Sequence, residues 1–456
     1  MTQILWLRND LRLDDHAGFR MAAERGTPLA VIYILPEHWT QTDELGMNRL
    51  GAAKAHYLRS ALIDLHRQLE DQTIDLHIYS GDPVAIISAI HDELGDNSFS
   101  LLTSEPQAPE ERGWLDTLQK KGFEISCYTS QTLFSEAQIA PLYDNFPSPF
   151  TQFRKIVEAD QDIWSIAGPV DAPALHIHEH PLRLQSPVSW PHVGYEVKVP
   201  FSGGERGAQA WWHDYLDRNA ISHYKSSRNN LMGRYSSSHL STALAWGCLS
   251  VRRVWHDILQ YENTHGPSDH TYWLRFELLW REYFHWSLRR HGQSLFRLQG
   301  LSDGPRLVTH NEDYWQRWTD AATGVPMVDA GLRELRHSGF VSNRLRQNMA
   351  SYFIHELNLD WRLGARWFEM HLADFDVASN YGNWAYIAGV GHDPRPQRRF
   401  NLNQQLRHYD PGCEHIHFWC PELADIAPDR LIKHQSGNDT LPMFPAPVVP
   451  VSDAPE

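Results

Sequence analysis

The chain has 456 residues, enough for two or three domains that each bury a core. With 42% hydrophobic and 21% charged residues it has the composition of a water-soluble globular protein, and no apolar run approaches the roughly 20 residues that span a bilayer. A formal net charge of -15 argues against indiscriminate nucleic-acid binding but leaves room for a local basic groove, because salt screens the remote charges.

The N-terminus, MTQILWLRND, goes straight into a strand pattern without the layout of a signal peptide, so a cytoplasmic location and no membrane partner are expected. Over the first 130 residues, short β-rich runs alternate with amphipathic stretches such as Asn48 to Gln72. The runs are QILWLR (3 to 8), LAVIYIL (29 to 35), IDLHIYS (74 to 80), SLLTS (100 to 104) and EISCYT (124 to 129). This is the pattern of an α/β doubly wound parallel sheet, assigned to residues 1–131. The first turn, RNDLRLDDHAGF, lacks GxGxxG, which argues against a standard dinucleotide site there.

From Thr132 to Pro200 the periodicity fades and proline rises; a linker is expected, with one helix near Pro149 to Ala159. Residues 201–435 read as an all-α domain, with helices at 208–218, 239–261, 268–291, 328–338, 341–357 and 361–372. The Pro-rich segment 436–456 is expected to be disordered. Four cysteines without a CxxC pair and 27 histidines without HExxH spacing predict neither a disulfide framework nor a metal site. Of the 18 tryptophans most lie after residue 210, which fits a half that handles flat aromatic ligands.

Spacing by three and four places Trp273, Glu277, Trp280 and Phe284 on one helix face, with Arg281 one turn after Glu277. Asn343 and Arg346 share a face of a later helix, and Asp374 and Asp376 precede Asn380. The Ser-rich stretch HYKSSRNNLMGRYSSSHLSTALAWGCLS, a turn running into a helix, suits a phosphate. The stretch SNYGNWAYIAGVGHDPRPQRRFN carries an amide, aromatics and arginines, but no nucleophile with its base.

Taken together, these motifs resemble the photolyase/cryptochrome family over nearly the whole chain. WLRNDLRLDDHAGF, GGERGA, WREYF, VSNRLRQ, DFDVASNYGNW and FNLNQQLRHYDPG carry the likeness, and SNYGNWAYIAGVGHDPR with GFVSNR is most similar to the DASH cryptochromes. The resemblance implies FAD held in the helical domain. Tyr224, Ser237, Ser238, Leu240 and Ser241 would hold its diphosphate. Glu277 and Arg281 would lie beside the flavin and substrate cavity, Asn343, Arg346, Asp374 and Asp376 would line the flavin pocket, and Asn380 would face flavin N5.

The activity implied is light-driven repair of cyclobutane pyrimidine dimers: excited FADH- gives the dimer one electron, the ring opens, and the electron returns. Trp384 and Trp361 match the inner members of the family's tryptophan relay. Relatives carry an outer tryptophan some ten residues before the end of YWQRW; this chain has none there, and Trp315, Trp318 and Trp367 are the candidates to replace it. Relatives often bind methenyltetrahydrofolate through a glutamate after the fourth strand. Here that loop reads TSEPQAPEERGW, with proline at the aligned position and Glu105 beside it, so the antenna is left open.

Damaged DNA would be met by Arg395, Arg398 and Arg399, with Lys225 and Arg228 as weaker candidates, and the lesion by Trp280, Gln347 and Tyr386. Duplex-active relatives tend to carry methionine and tryptophan in place of Gln347 and Tyr386, so the expected substrate is chiefly single-stranded DNA, handled by a monomer. The alternative is a blue-light photoreceptor that signals through flavin redox state; repair of the 6-4 photoproduct is disfavoured, because no histidine pair stands where its proton donor is needed.

Overall fold

Five apolar runs near the N-terminus form one parallel sheet: β1 (Thr2–Leu7), β2 (Leu29–Pro36), β3 (Leu76–Gly81), β4 (Phe99–Ser104) and β5 (Glu124–Tyr128), in the order β3-β2-β1-β4-β5. The computed structural model describes residues 2–94, 99–173, 175, 199–304, 306–392 and 398–452. Neighbouring strands pair in register, for example Leu5 with Val31 and Leu102. Side chains alternate between faces along a strand, and both faces are buried. Ile4, Trp6, Ile32 and Ile34 pack with Ile87, Ile90 and Leu115 on one face. On the other, Leu5, Leu7, Val31 and Tyr33 join a core that continues into the helical half through Trp212, Tyr215, Leu274 and Trp286.

The turn after β1 docks the two halves. Glu205 accepts hydrogen bonds from the N–H groups of Leu13 and Asp14 (2.7 and 2.9 Å), and the N–H of Leu11 donates to the carbonyl of Trp246 (3.1 Å). Arg252 pairs with Asp15 and Arg253 with Asp14. RNDLRLDD is thus a docking element. It also explains why the helix expected over 239–261 is two, Ser241–Ala245 and Val251–His265. Between them Gly247 has φ 63°, and a Cβ there would lie 2.1 Å from the carbonyl oxygen of Asn9, so close approach of the first turn breaks the helix.

Six helices organise the site: α1 (Ala52–Glu70), α2 (Pro109–Lys120), α3 (Asp269–His291), α4 (Asn343–Ser351), α5 (Trp361–His371) and α6 (Val377–Ile387). The last three begin at side-chain caps in which Ser342, Asp360 and Asp376 accept backbone N–H groups. The helix expected over 341–357 changes character after Ser351 into a π turn, Tyr352–Glu356.

Two further expectations need correction. The segment 132–200 carries short helices at Glu136–Ile139 and Gln161–Trp164 as well as the expected one, Phe150–Ala159. The segment after Gln435 is ordered through residue 452 rather than disordered. Leu441, Phe444 and Val451 are buried in the helical core, and the carbonyl of Val449 accepts from the Tyr352 hydroxyl at 2.9 Å. Apolar anchors at this spacing offset what the prolines take from regular structure. Among the described residues no helix is long and apolar enough to cross a membrane.

Candidate cofactor and substrate site

A cavity of about 980 Å³ opens in the helical half, at the top of the roughly 300–1,000 Å³ of ligand clefts. Its walls are the loop 228–241 and faces of α3, α4, α5 and α6. The three-four spacing on α3 brings Glu277, Trp280, Arg281 and Phe284 to it together. Tyr224, Ser237, Ser238, Leu240 and Ser241 line it too, with the loop anchored by Trp211, whose Nε1 donates to the Ser238 carbonyl at 2.7 Å.

Charges at the walls are paired. Arg346 makes a two-pronged contact with Asp374 (3.1 and 2.8 Å), and its Nε donates to the Val341 carbonyl. Arg228 pairs with Glu277 at 2.7 Å; burial raises the Glu277 carboxyl above its ordinary range and Arg228 partly offsets this. Asp376 accepts from the N–H of Ser379 (2.6 Å) and faces Nε2 of the buried His285 (3.1 Å). Burial opposes its ionisation, but His285, Arg281 and Ser379 outweigh that and hold the carboxyl well below the usual carboxylate range. Arg281 itself donates to the carbonyls of Gln131 and Leu244, tying the cavity to the chain between the halves.

Asn380 is buried, with its Nδ2 donating to the Ala365 carbonyl at 3.0 Å. A carbonyl only accepts, so the amide nitrogen must face it, leaving Oδ1 to receive a hydrogen bond from a ligand. Trp384 lies against Gly364, where a Cβ would come within 2.3 Å of its Cη2, and is flanked by Phe353 (5.6 Å) and Phe368 (5.0 Å). Trp280 meets Tyr386 edge-on at 5.8 Å, and the Arg398 guanidinium sits 4.1 Å over the Tyr386 ring. Asn343 and Gln347 complete the wall, the Gln347 Oε1 accepting from Arg344 at 3.0 Å.

Three expected residues lie off the cavity wall. Trp361 is fully buried behind it, its Nε1 donating to the Leu298 carbonyl at 2.9 Å. Arg399 turns away to a two-pronged pair with Glu356 (2.8 and 2.6 Å). Lys225 is paired with Asp269, and Arg395 lies outside the described residues. Sequence reasoning missed His285 and Phe353: the first pairs with a residue 91 positions on, and the second is placed by the π turn, which has no sequence signature.

A second cavity, about 560 Å³, lies between the halves. Arg49, Ala108, Pro109 and Glu110 face Phe296, Arg297, Arg362, Arg366, Glu369 and Tyr381. Arg49 bridges Glu110 (2.9 Å) and Glu369 (2.6 Å), and His38 also reaches Glu110. The first turn of α2 therefore presents Glu110 here. Glu105, the residue picked out from the sequence, is instead paired with Arg289.

In the larger cavity, serine hydroxyls and guanidiniums together with amides and aromatic rings suit a ligand that is both anionic and flat. The segment 273–454 matches the family model for the FAD-binding domain of DNA photolyase, and residues 3–174 match that for DNA photolyase. A cryptochrome DASH of Gloeobacter violaceus is 36% identical over 94% of this chain and 87% of its own length. The chain belongs to the photolyase/cryptochrome family, with the DASH cryptochromes. Another cryptochrome DASH, from Vibrio parahaemolyticus, is 37% identical over 91% of this chain and 92% of that protein. The crystal structure of a Synechocystis cryptochrome superposes with a TM-score of 0.90 at 32% identity, covering 98% of this chain and 96% of that one. A bacterial class III photolyase from Agrobacterium tumefaciens gives 0.79 at 26%, covering 98% and 95%. The match to the family's FAD-binding domain thus covers most of α3 and all of α4 to α6, while Tyr224, Trp211 and the 228–241 loop line the larger cavity from outside it.

Proposed function

We propose that this chain is a light-driven lyase that splits cyclobutane pyrimidine dimers, chiefly in single-stranded DNA. The observation that carries this reading is the convergence of Glu277, Trp280, Asn380, Trp384, Tyr386 and Arg398 on one cavity, a set that can bind, stack and hydrogen-bond but holds no nucleophile. FAD, when bound, supplies one-electron photochemistry. The protein's part is orientation. Ser237, Ser238 and Ser241 offer hydroxyls to a diphosphate, Arg346 and Asp374 fix the middle of the pocket, and the oxygen of Asn380 accepts from a ring N–H without adding charge. Trp280 and Tyr386 stack the extruded lesion while Glu277, with its raised carboxyl, hydrogen-bonds to it and Arg398 meets phosphate.

Strand preference follows from polarity at the lesion. Tyr386 lies under Arg398 and Gln347 holds Arg344, so both present polar edges rather than apolar area. Extruding a dimer from a duplex costs a few kcal/mol, whereas stacking returns roughly 1–3 kcal/mol per base, so a modest loss of stacking abolishes duplex repair first. One dimer placed in both contexts tests this: repair in light with a strong single-strand preference is expected, and a Tyr386→Trp, Gln347→Met variant should recover duplex activity. Equal wild-type rates would refute the preference, and no repair in light would refute the lyase.

The second cavity is proposed as the seat of a folate-like antenna, its arginines facing the anionic tail and Glu110 the ring. A near-ultraviolet absorption band that vanishes in Glu110→Gln is expected; flavin bands alone in wild type would rule the antenna out. The relatives' name, cryptochrome, favours a photoreceptor as the second reading, which predicts light-dependent partner binding without turnover.

A further inference from the structure

The relay ends abruptly in this chain. Trp361 is fully buried, and the stretch 304–314 has no tryptophan to take over from it, with Leu307 86% exposed there. An electron vacancy on Trp361 therefore has no contact with solvent and must pass to a neighbouring side chain. Among the described residues, Trp361 meets the ring of Tyr381, at a centroid distance of 6.4 Å and an interplanar angle of 75°. Tyr381 is half-buried and forms part of the wall of the second cavity. Its hydroxyl donates to Oε2 of Glu369 at 2.9 Å, while Oε1 of that carboxylate pairs with Arg49.

This is the arrangement a tyrosine needs to give up an electron. A phenol loses its proton when oxidised, and proton transfer requires an acceptor within about 2.6–3.2 Å, which Glu369 provides. Burial and the Glu369 charge push the phenol well above its ordinary range, so it stays protonated until it is oxidised. The other route out of Trp384 runs past Phe353 to Trp318 (4.8 Å), but phenylalanine is far harder to oxidise than indole or phenol, and Trp318 is itself fully buried.

Resting on the reading that Trp384 and Trp361 form a relay, we propose that Tyr381 is its terminal donor and that the second cavity, when no antenna fills it, is where the relay is replenished. Tyr381 gives one electron to oxidised Trp361 as its phenolic proton crosses to Glu369, leaving neutral Trp361, a neutral tyrosyl radical and a protonated carboxyl. A small thiol entering the cavity then gives a hydrogen atom to the phenoxyl oxygen and departs as a thiyl radical. Glu369 returns its proton to water.

Electron paramagnetic resonance on the flavin-loaded protein under blue light tests this directly. A tyrosyl radical is expected in wild type, lost in Tyr381→Phe and lost in Trp361→Phe, and quenched by added thiol. Glu369→Gln, which leaves the phenol in place but removes the proton acceptor, should slow its formation and change its solvent deuterium isotope effect. An unchanged tyrosyl signal in Tyr381→Phe, or a wild-type radical on Trp315 or Trp318, overturns the exit while leaving the relay intact. A wild type that does not photoreduce, or a tyrosyl signal that survives Trp361→Phe, overturns the relay and the exit with it.

Discussion

The larger cavity draws its walls from the helical half alone, whereas the smaller one is shared, with Arg49 and Glu110 from the sheet half facing Arg366 and Glu369 from the helical half. The charges of the first are paired locally, Arg346 with Asp374 and Arg228 with Glu277, so the site is fixed once its own helices pack. Those of the second are paired across the boundary, with Arg49 holding Glu369 and Arg366 holding Asp43. A site of the first kind is as stable as the domain that contains it; one of the second kind exists only while two domains stay docked and responds to salt and pH. The proposed photochemistry thus falls in the part fixed by its own helices, and the proposed relay exit in the part that depends on docking.

The largest expected effect attacks the rigid cavity. Gly364→Ala drives a Cβ to 2.3 Å from Trp384 and should cost about 3 kcal/mol, the upper end for an overpacked core, with flavin lost in proportion; retention of wild-type melting and flavin content would mean that this wall yields. Arg49→Ala leaves Glu110 with His38 alone and Glu369 with only the Tyr381 hydroxyl, and should cost about 2 kcal/mol, between the values for exposed and buried pairs. Denaturant unfolding followed by circular dichroism and by flavin fluorescence should then show flavin held normally before the transition. If flavin is lost together with the boundary, the two cavities are one unit.

A smaller effect is expected for Asn380→Asp, which removes the donor to Ala365 and should cost about 1 kcal/mol, the low end for a buried group left unpaired. The new acid can restore that bond only while protonated, so its folded-state pKa is raised and the variant should lose stability as pH rises through it; a pH-independent difference from wild type would count against this geometry. The smallest effect at neutral pH belongs to Lys54, at the boundary, whose amine donates to the carbonyls of Arg49 and Glu369. Burial lowers it from 10.5 to about 7, against the opposing pull of Glu369. Between those values the unfolded chain binds more protons, so stability should climb with pH. The wild-type minus Lys54→Met difference in unfolding free energy should therefore be flat below pH 7 and rise above it.

What could be read from the sequence was local. The central strands β1, β2 and β4 are runs buried on both faces, and the α3 residues are brought together by helical spacing alone. What could not be read depended on remote partners. Gly247 breaks a helix because Asn9 approaches it, and Glu110 rather than Glu105 enters the boundary cavity because Arg289 has already claimed Glu105. In the same way, Arg399 reads as a phosphate contact in the sequence but is held by Glu356, 43 residues earlier. The segment after Gln435 reads as disordered because composition counts its prolines but not the three anchors that hold it.

Those anchors bear on how the protein is made. Leu441, Phe444 and Val451 sit in the same core as Trp318 and Tyr352, and the N–H of Val448 donates to the carbonyl of Thr323, 125 residues earlier. A ribosome adds roughly 5–20 residues per second, and domains generally fold as units in order of synthesis. The sheet half can settle early, but the helical core stays open along one side until residue 451 has emerged. A nascent chain stalled before residue 440 should therefore expose this face to chaperones and to apolar dyes, and release of the stall should close it.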